Sequence, residues 1–291
     1  MRLINRTVLM SGAEYFANDA PINPYYTNDS IDVAHAVKEH QAIKAALEEA
    51  GVTVISVPAP PTSQDGVYTA NWALVRYKKA VLARLPNARK SEEAWAEREL
   101  TNQGIEVVRV PEEWRFSGQG DALPCGDLLF CGSNYRSDVE AQAFAAKTLG
   151  FRQIQLQAVP LRDGNGQAVT NASSGWPDSF YYDIDLALSI LKGPSDTQKG
   201  LIAYCPEAFI PESRTLLEEL DEVDKIVVSE DEARHAFACN LVSTGETVVL
   251  SAHAPEFARQ LETHGLRTIS PRIEELAKGG GYIRCTTLTL E

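Results

Sequence analysis

One pattern recurs five times along the chain, and it narrows the fold to a few architectures. An amphipathic helical stretch is followed by a Gly or Asp break and then by a strand ending in Pro or a turn. The helical stretches are 39–50, 92–103, 139–149, 212–220 and 255–264, and the breaks are Gly51, Gly104, Gly150, Asp221 and Gly265. The strands that follow are 52–58, 105–111, 151–160, 223–228 and 266–271. Helical spacing shows in Ala42, Ala46 and Leu47, and alternation in Val52/Val54 and Ile105/Val107. Between these units lies a second motif, in which a polar residue heads a strand, a turn follows, and another strand returns. Asn71, Asp121, Asp185 and Asn240 head four such hairpins. The fifth is split, with 285–290 at one end of the chain and 7–10 at the other.

A supersecondary unit repeated every ~45–65 residues predicts a stacked or closed array. The half-hairpin at each end predicts closure, because pairing first and last strands removes the free edges. The fold class expected is therefore α/β, a five-bladed pseudo-symmetric α/β propeller whose ring is closed by the N- and C-terminal strands. No linker or low-complexity stretch interrupts the array, so residues 1–291 read as a single domain. Asn71, Asp121, Asp185, Asn240 and Cys285 hold equivalent places in the five units and should converge on one central cavity.

With 44% apolar residues the chain can bury a large core. No apolar run approaches the ~18–20 residues of a membrane span. The amino-terminal stretch, Met1-Arg-Leu-Ile-Asn-Arg6, lacks a signal-peptide apolar region, and five cysteines without Cys-x-x-Cys spacing argue against a disulfide framework or a structural metal site. A reducing cytoplasmic setting is expected, with no cofactor and no metal. A formal charge of −13 disfavours nucleic acid and anionic membranes as partners. It suits a small cationic substrate, although solvated helix faces account for acidic residues equally well. A homo-oligomer is compatible with this reading.

Cys285 follows three glycines, Gly279 to Gly281, and opens a run of Thr and Leu that reads as a strand. Read locally, it is a buried thiol behaving as a small hydrophobe. Read with the other repeat positions, it is a thiol delivered to a polar cavity.

The chain resembles the guanidino-group-modifying enzymes, the pentein or amidinotransferase superfamily. The resemblance covers nearly the whole length. Its marks are Asp65-Gly-Val-Tyr-Thr-Ala-Asn71, Gly118-Gln-Gly-Asp121, Gly132-Ser-Asn-Tyr-Arg136, Tyr182-Asp-Ile-Asp185 and Gly279-Gly-Gly-Tyr-Ile-Arg-Cys285. It implies a five-bladed propeller and hydrolysis of guanidinium C–N bonds in arginine or an N-substituted arginine, of the arginine deiminase, arginine dihydrolase or dimethylargininase type. It implies that Cys285 attacks the guanidinium carbon to form a covalent thiouronium intermediate, which water then hydrolyses. Asp121 and Asp185 match positions that hold the guanidinium, and Asp65 lies in a substrate-binding motif. Arg136 would clamp an amino-acid carboxylate, with Arg89 as a second contact. Asn23 and Asn71 match an asparagine pair of the arginine dihydrolase branch. Asn23 reads equally as a turn residue before Pro24, and Arg89 as an exposed helix-start cation.

Two positions depart from the superfamily. The catalytic histidine expected at 183 is Asp183, and Gly118 stands where an acidic residue is common. The other histidines, His35, His40, His235, His253 and His264, lie on or beside expected helices, where a solvated role fits. The alternatives are a non-catalytic or weakened pentein that binds a cationic small molecule, as a ribosome anti-association factor of this fold shows is feasible, or an amidinotransferase.

Overall fold

The computed structural model describes residues 3–26 and 29–291. Met1 and Arg2 of the amino-terminal stretch lie outside the described residues. Strand β1 (Thr7–Ser11) runs through α1 (Val33–Glu49) into β2 (Thr53–Val57), which pairs with β1 in parallel. The next unit is an antiparallel hairpin of β3 (Ala73–Arg76) and β4 (Lys79–Leu82), then α2 (Glu92–Asn102), then β5 (Glu106–Arg109) parallel to β4. The same order repeats in β6 (Ala122–Cys125), β7 (Leu128–Cys131), α3 (Val139–Leu149) and β8 (Arg152–Gln155). It repeats again in β9 (Leu188–Lys192), β10 (Gly200–Tyr204), α4 (Pro211–Glu219) and β11 (Val223–Val227). A short helix, α5 (Glu230–His235), precedes the fourth full unit of β12 (Val242–Ser243), β13 (Thr247–Val249), α6 (Pro255–Thr263) and β14 (Arg267–Ile269).

The last strand, β15 (Leu288–Thr289), pairs antiparallel with β1 and so completes the hairpin that the amino terminus lacks. Among the described residues the result is five three-stranded sheets, each an antiparallel pair extended by one parallel strand. Each parallel partner is reached through a helix, because a parallel connection needs a long crossover. α3 shows why the breaks are glycines: Gly150 adopts φ +72°, a left-handed cap that closes the helix and releases the chain into β8.

Three expectations need correction. α1 begins at Val33, six residues before the stretch expected at 39, because Asp32 caps it by accepting from the His35 amide at 3.0 Å. α5 lies outside the repeat pattern and was not expected. The strand expected to open at Cys285 opens at Leu288 instead. No helix among the described residues is long and apolar enough to cross a membrane.

Candidate active site

The polar residues of the five repeats sit in the turns that feed the strands, not on the strands. Asn71 lies in the 3-10 turn Thr69–Trp72, Asp121 directly follows Gly118–Gly120, and Asp185 lies in Ile184–Leu186. Cys285 lies in a turn closed by bonds from the Thr286 amide to Tyr282 O (3.2 Å) and the Thr287 amide to Arg284 O (3.0 Å). A 3-10 turn ends its own hydrogen bonding after one repeat, which leaves its side chains free to aim inward.

The glycines ahead of Cys285 are required by contact. A Cβ at Gly279, Gly280 or Gly281 would come closer than 3.0 Å to Tyr68, Phe16 or Asn23 atoms, and Gly280 adopts φ +82°. This close approach lets Asn23 Nδ2 donate to Gly279 O (2.9 Å) and Tyr182 OH donate to Gly280 O (2.7 Å). Asn23 Oδ1 also accepts from the Tyr25 amide (2.9 Å), as a turn residue before Pro24 does.

Asn240, the repeat equivalent of Cys285, holds the nucleophile turn. Its Oδ1 accepts from the amides of Tyr282 (3.2 Å) and Cys285 (3.1 Å), and its Nδ2 donates to Cys285 Sγ (3.1 Å). The sequence placed Asn240 in the ring of five without giving it a role in the site. On the other side the thiol donates to Asp185 Oδ2 at 3.5 Å.

Asp121, Asp183 and Asp185 are all buried, and each keeps one carboxyl oxygen without a hydrogen-bond partner among the described residues. Asp183 Oδ2 accepts from Asn71 Nδ2 (2.7 Å), and Asp121 Oδ1 accepts from the Ile184 amide (3.1 Å). Burial pushes all three carboxyls above the usual range. At Asp121 and Asp185 the charge of Asp183 adds to the rise, while at Asp183 the charge of Arg136 works against it. The Cys285 thiol is likewise pushed well above its ordinary value, by burial first and then by Asp185 and Asp183.

Two arginines face this acidic group and differ in how they are occupied. Arg136 is buried; it donates from Nη2 to Ile22 O (2.7 Å) and lies 4.5 Å from the centre of the Tyr182 ring. Neither of these partners is an anion. Arg89 is also buried, which rules out the exposed helix-start alternative. It donates from Nε (2.8 Å) and Nη2 (2.7 Å) to Glu92, and from Nη1 to Asn71 Oδ1 (2.6 Å). Asp65 stands beside it, accepting from Tyr26 OH (2.5 Å). Asn23, Asp65, Asn71, Arg89, Arg136 and Cys285 line one narrow cleft together.

Gly118 does not face this cleft. It has φ +58°, and a Cβ there would meet the backbone of Ala70 and Ala73 at 2.8–2.9 Å. The neighbouring Ser117 occupies the place beside the acidic group, where its Oγ accepts from Asn71 Nδ2 (2.9 Å). In this structure Ser117, not Gly118, lies beside the acidic group. Among the histidines, His40 departs from the solvated role: its Nε2 is buried without a partner, and burial lowers its pKa to about 4.

Solved structures share this arrangement of sheets. The N-terminal domain of ArgZ, a cyanobacterial arginine dihydrolase bound to product, aligns with a TM-score of 0.85 at 24% identity, covering 100% of this chain and 98% of that one. A dimethylarginine dimethylaminohydrolase in adduct with S-methyl-L-thiocitrulline aligns with a TM-score of 0.73 at 18% identity, covering 97% and 98%. Both belong to the pentein superfamily.

Within that class, the chain belongs to the dimethylarginine dimethylaminohydrolase family. Residues 12–165 match the family model described as N,N dimethylarginine dimethylhydrolase, eukaryotic. The chain is 30% identical over 288 residues to the N(G),N(G)-dimethylarginine dimethylaminohydrolase of Mycobacterium tuberculosis, covering 98% of this chain and 86% of the relative. It is 24% identical over 286 residues to the bifunctional arginine dihydrolase/ornithine cyclodeaminase ArgZ of Synechocystis, but spans only 37% of that protein.

Proposed function

We propose that this chain hydrolyses guanidinium C–N bonds of arginine or an N-substituted arginine, with Cys285 as nucleophile. The supporting observation is the set of three buried carboxyls with one unsatisfied oxygen each, next to the thiol. Buried polar groups without partners are costly, and a planar cation rich in N–H donors answers all three. We read residues 1–291 as one domain, a five-bladed ring closed through the pairing of β1 with β15.

In this reading the guanidinium binds over Asp121 and Asp185, and Arg136, which has no anionic hydrogen-bond partner among the described residues, takes the substrate carboxylate. Asp65, Arg89, Asn71 and Asn23 shape the cleft between them. The bound cation offsets the acidic charges that hold Cys285 in its thiol form, so substrate promotes the thiolate. The thiolate adds to the guanidinium carbon, the amine leaves with a proton, and water cleaves the thiouronium. In this reading Asp183 is the group that would donate that proton. Burial favours its neutral form in the empty site, and the bound cation favours its ionised form, which makes it a weak acid at the step that needs one.

That weakness supports a second reading, a binder of cationic amino acids with slow or absent turnover. Incubation with arginine, methylated arginines, agmatine and citrulline separates the two, followed by mass measurement of products and of the intact protein. Hydrolysis gives a ureido product, or the amine left when the ureido group is hydrolysed in turn, and a stalled reaction gives a covalent adduct on Cys285. A pure binder gives neither.

A further inference from the structure

Asn240 and Cys285 stand at matching points of consecutive repeats, and one carboxamide joins their two turns. The Asn240 side chain has no exposed surface. Its Oδ1 takes the amides of Tyr282 and Cys285, and its backbone carbonyl accepts from the Arg284 amide at 3.3 Å. A backbone N–H can only donate, so the two amides on Oδ1 fix which way the carboxamide lies. Nδ2 must then face Cys285 Sγ, 3.1 Å away.

The backbone that delivers Asn240 is itself tightly held. Phe237, three residues earlier, adopts φ +53°, a left-handed conformation that bulky residues rarely take. Such backbone persists only where the surroundings over-determine it, and it collects at functional sites. Here the Asn240 amide donates to Phe237 O (2.9 Å) and the Ala238 amide to Glu232 O (3.1 Å). The Phe237 ring stacks on Tyr282 with centres 5.4 Å apart. Tyr282 also gives its amide to Asn240, so side chains of both turns locate them against each other.

Fixing the turn needs only Oδ1. Nδ2 is left aimed at the sulfur, and its contact differs in kind from that of Asp185. The thiol donates to Asp185 Oδ2, a bond that is lost once the proton leaves. The bond from Nδ2 strengthens at that moment, because an N–H holds an anion better than a neutral acceptor. The other ionisable groups around the sulfur are Asp185, Asp183, Arg284, Tyr25, Tyr68 and Tyr182. Of these Arg284 alone is cationic, and it donates to Gln119 Oε1 (3.0 Å) and Thr289 Oγ1 (2.8 Å).

We propose that Asn240 is a catalytic residue, its Nδ2 stabilising the Cys285 thiolate while its Oδ1 locates the nucleophile turn. This role rests on Cys285 as the nucleophile, but its test does not require turnover.

The test is alkylation of Cys285 by saturating chloroacetamidine between pH 6 and 10, followed by peptide mass. In that reaction an S–C bond forms, chloride leaves with the bonding pair, and the thiol proton is released. The charge of the bound reagent lowers the thiol pKa and brings the bend of the pH–rate curve into range. Asn240→Ala should slow labelling at pH 7 at least about tenfold and move the bend up by at least about one pH unit, as expected when a hydrogen bond to a charged group is lost. A turn that is merely displaced slows labelling by the same factor at every pH, with the bend unmoved, and that result overturns the proposal. Labelling at the parental rate overturns it too. Asn240→Ser, whose hydroxyl ends short of the sulfur, should behave as Asn240→Ala does and carries the test if that variant does not fold. A chain that shows the shift yet hydrolyses no guanidino compound keeps this role for Asn240 and rejects the hydrolase reading. Hydrolysis of arginine-like compounds with the bend unmoved in the variants does the reverse.

Discussion

Asn71 separates two buried charged regions that are handled in opposite ways. Its Oδ1 accepts from Arg89, and its Nδ2 donates to Asp183. On the Arg89 side, Glu92 receives both Arg89 donors and also Trp72 Nε1 (2.9 Å) and Ser63 Oγ (2.5 Å), so the charges are paired and hydrogen-bonded. On the Asp183 side, among the described residues, three carboxyls share a space with no cation bonded to them and three oxygens unsatisfied. The first region resembles a structural knot. The second leaves polar atoms unpaired, which is how binding sites differ from cores.

The sharpest way to break this comparison is to damage the knot. Glu92→Ala should cost roughly 3–5 kcal/mol of stability, because it leaves Arg89 charged and unpaired in the interior. Urea denaturation measures it, and a loss below about 1 kcal/mol would place the knot among weak surface pairs. Next in size is Arg136→Ala, which should weaken an α-amino-acid ligand by roughly 2–4 kcal/mol, with agmatine little affected. Calorimetry with both ligands decides, and equal losses would make Arg136 structural.

Much of the scaffold was legible from the sequence, and the reason is periodicity. Gly51, Gly104, Gly150 and Gly265 all sit at positive φ where a helix hands over to a strand, and each break was visible as a glycine between two patterns. The pairing of β15 with β1 followed from counting half-hairpins. The turns were less legible, since one 3-10 turn has no period to detect. Cys285 and Asn71 were consequently placed on strands. At 117–118, the +58° φ of Gly118, which the sequence does not display, decides that Ser117 rather than Gly118 lies beside the acidic group. For Arg89 the sequence leaves a substrate contact and an exposed cation both open, because its partners Glu92 and Asn71 are not distinctive as sequence; burial excludes the second.

Smaller in expected effect is the exchange at 183. Asp183→His should raise turnover on arginine-like substrates at least about tenfold at pH 6–8, a modest part of what general acid–base catalysis supplies. Single-turnover and steady-state rates of both forms test it. A parent already fast near neutrality, and slowed by histidine, would make Asp183 a working acid and base in its own right.

The central claim is that Cys285 is a nucleophile held in reserve by an acidic site until a cation arrives. Its direct test is the pH dependence of Cys285 alkylation by neutral iodoacetamide and by cationic chloroacetamidine, followed by peptide mass. With its pKa raised above the ordinary range, the thiol should react with iodoacetamide slowly at pH 7 and ~tenfold faster per pH unit up to pH 9. Chloroacetamidine should label Cys285 ahead of Cys125, Cys131, Cys205 and Cys239, with a visibly shallower pH slope, because the reagent supplies the missing positive charge. Equal slopes for the two reagents, or equal labelling of Cys125 or Cys239, would return Cys285 to the core.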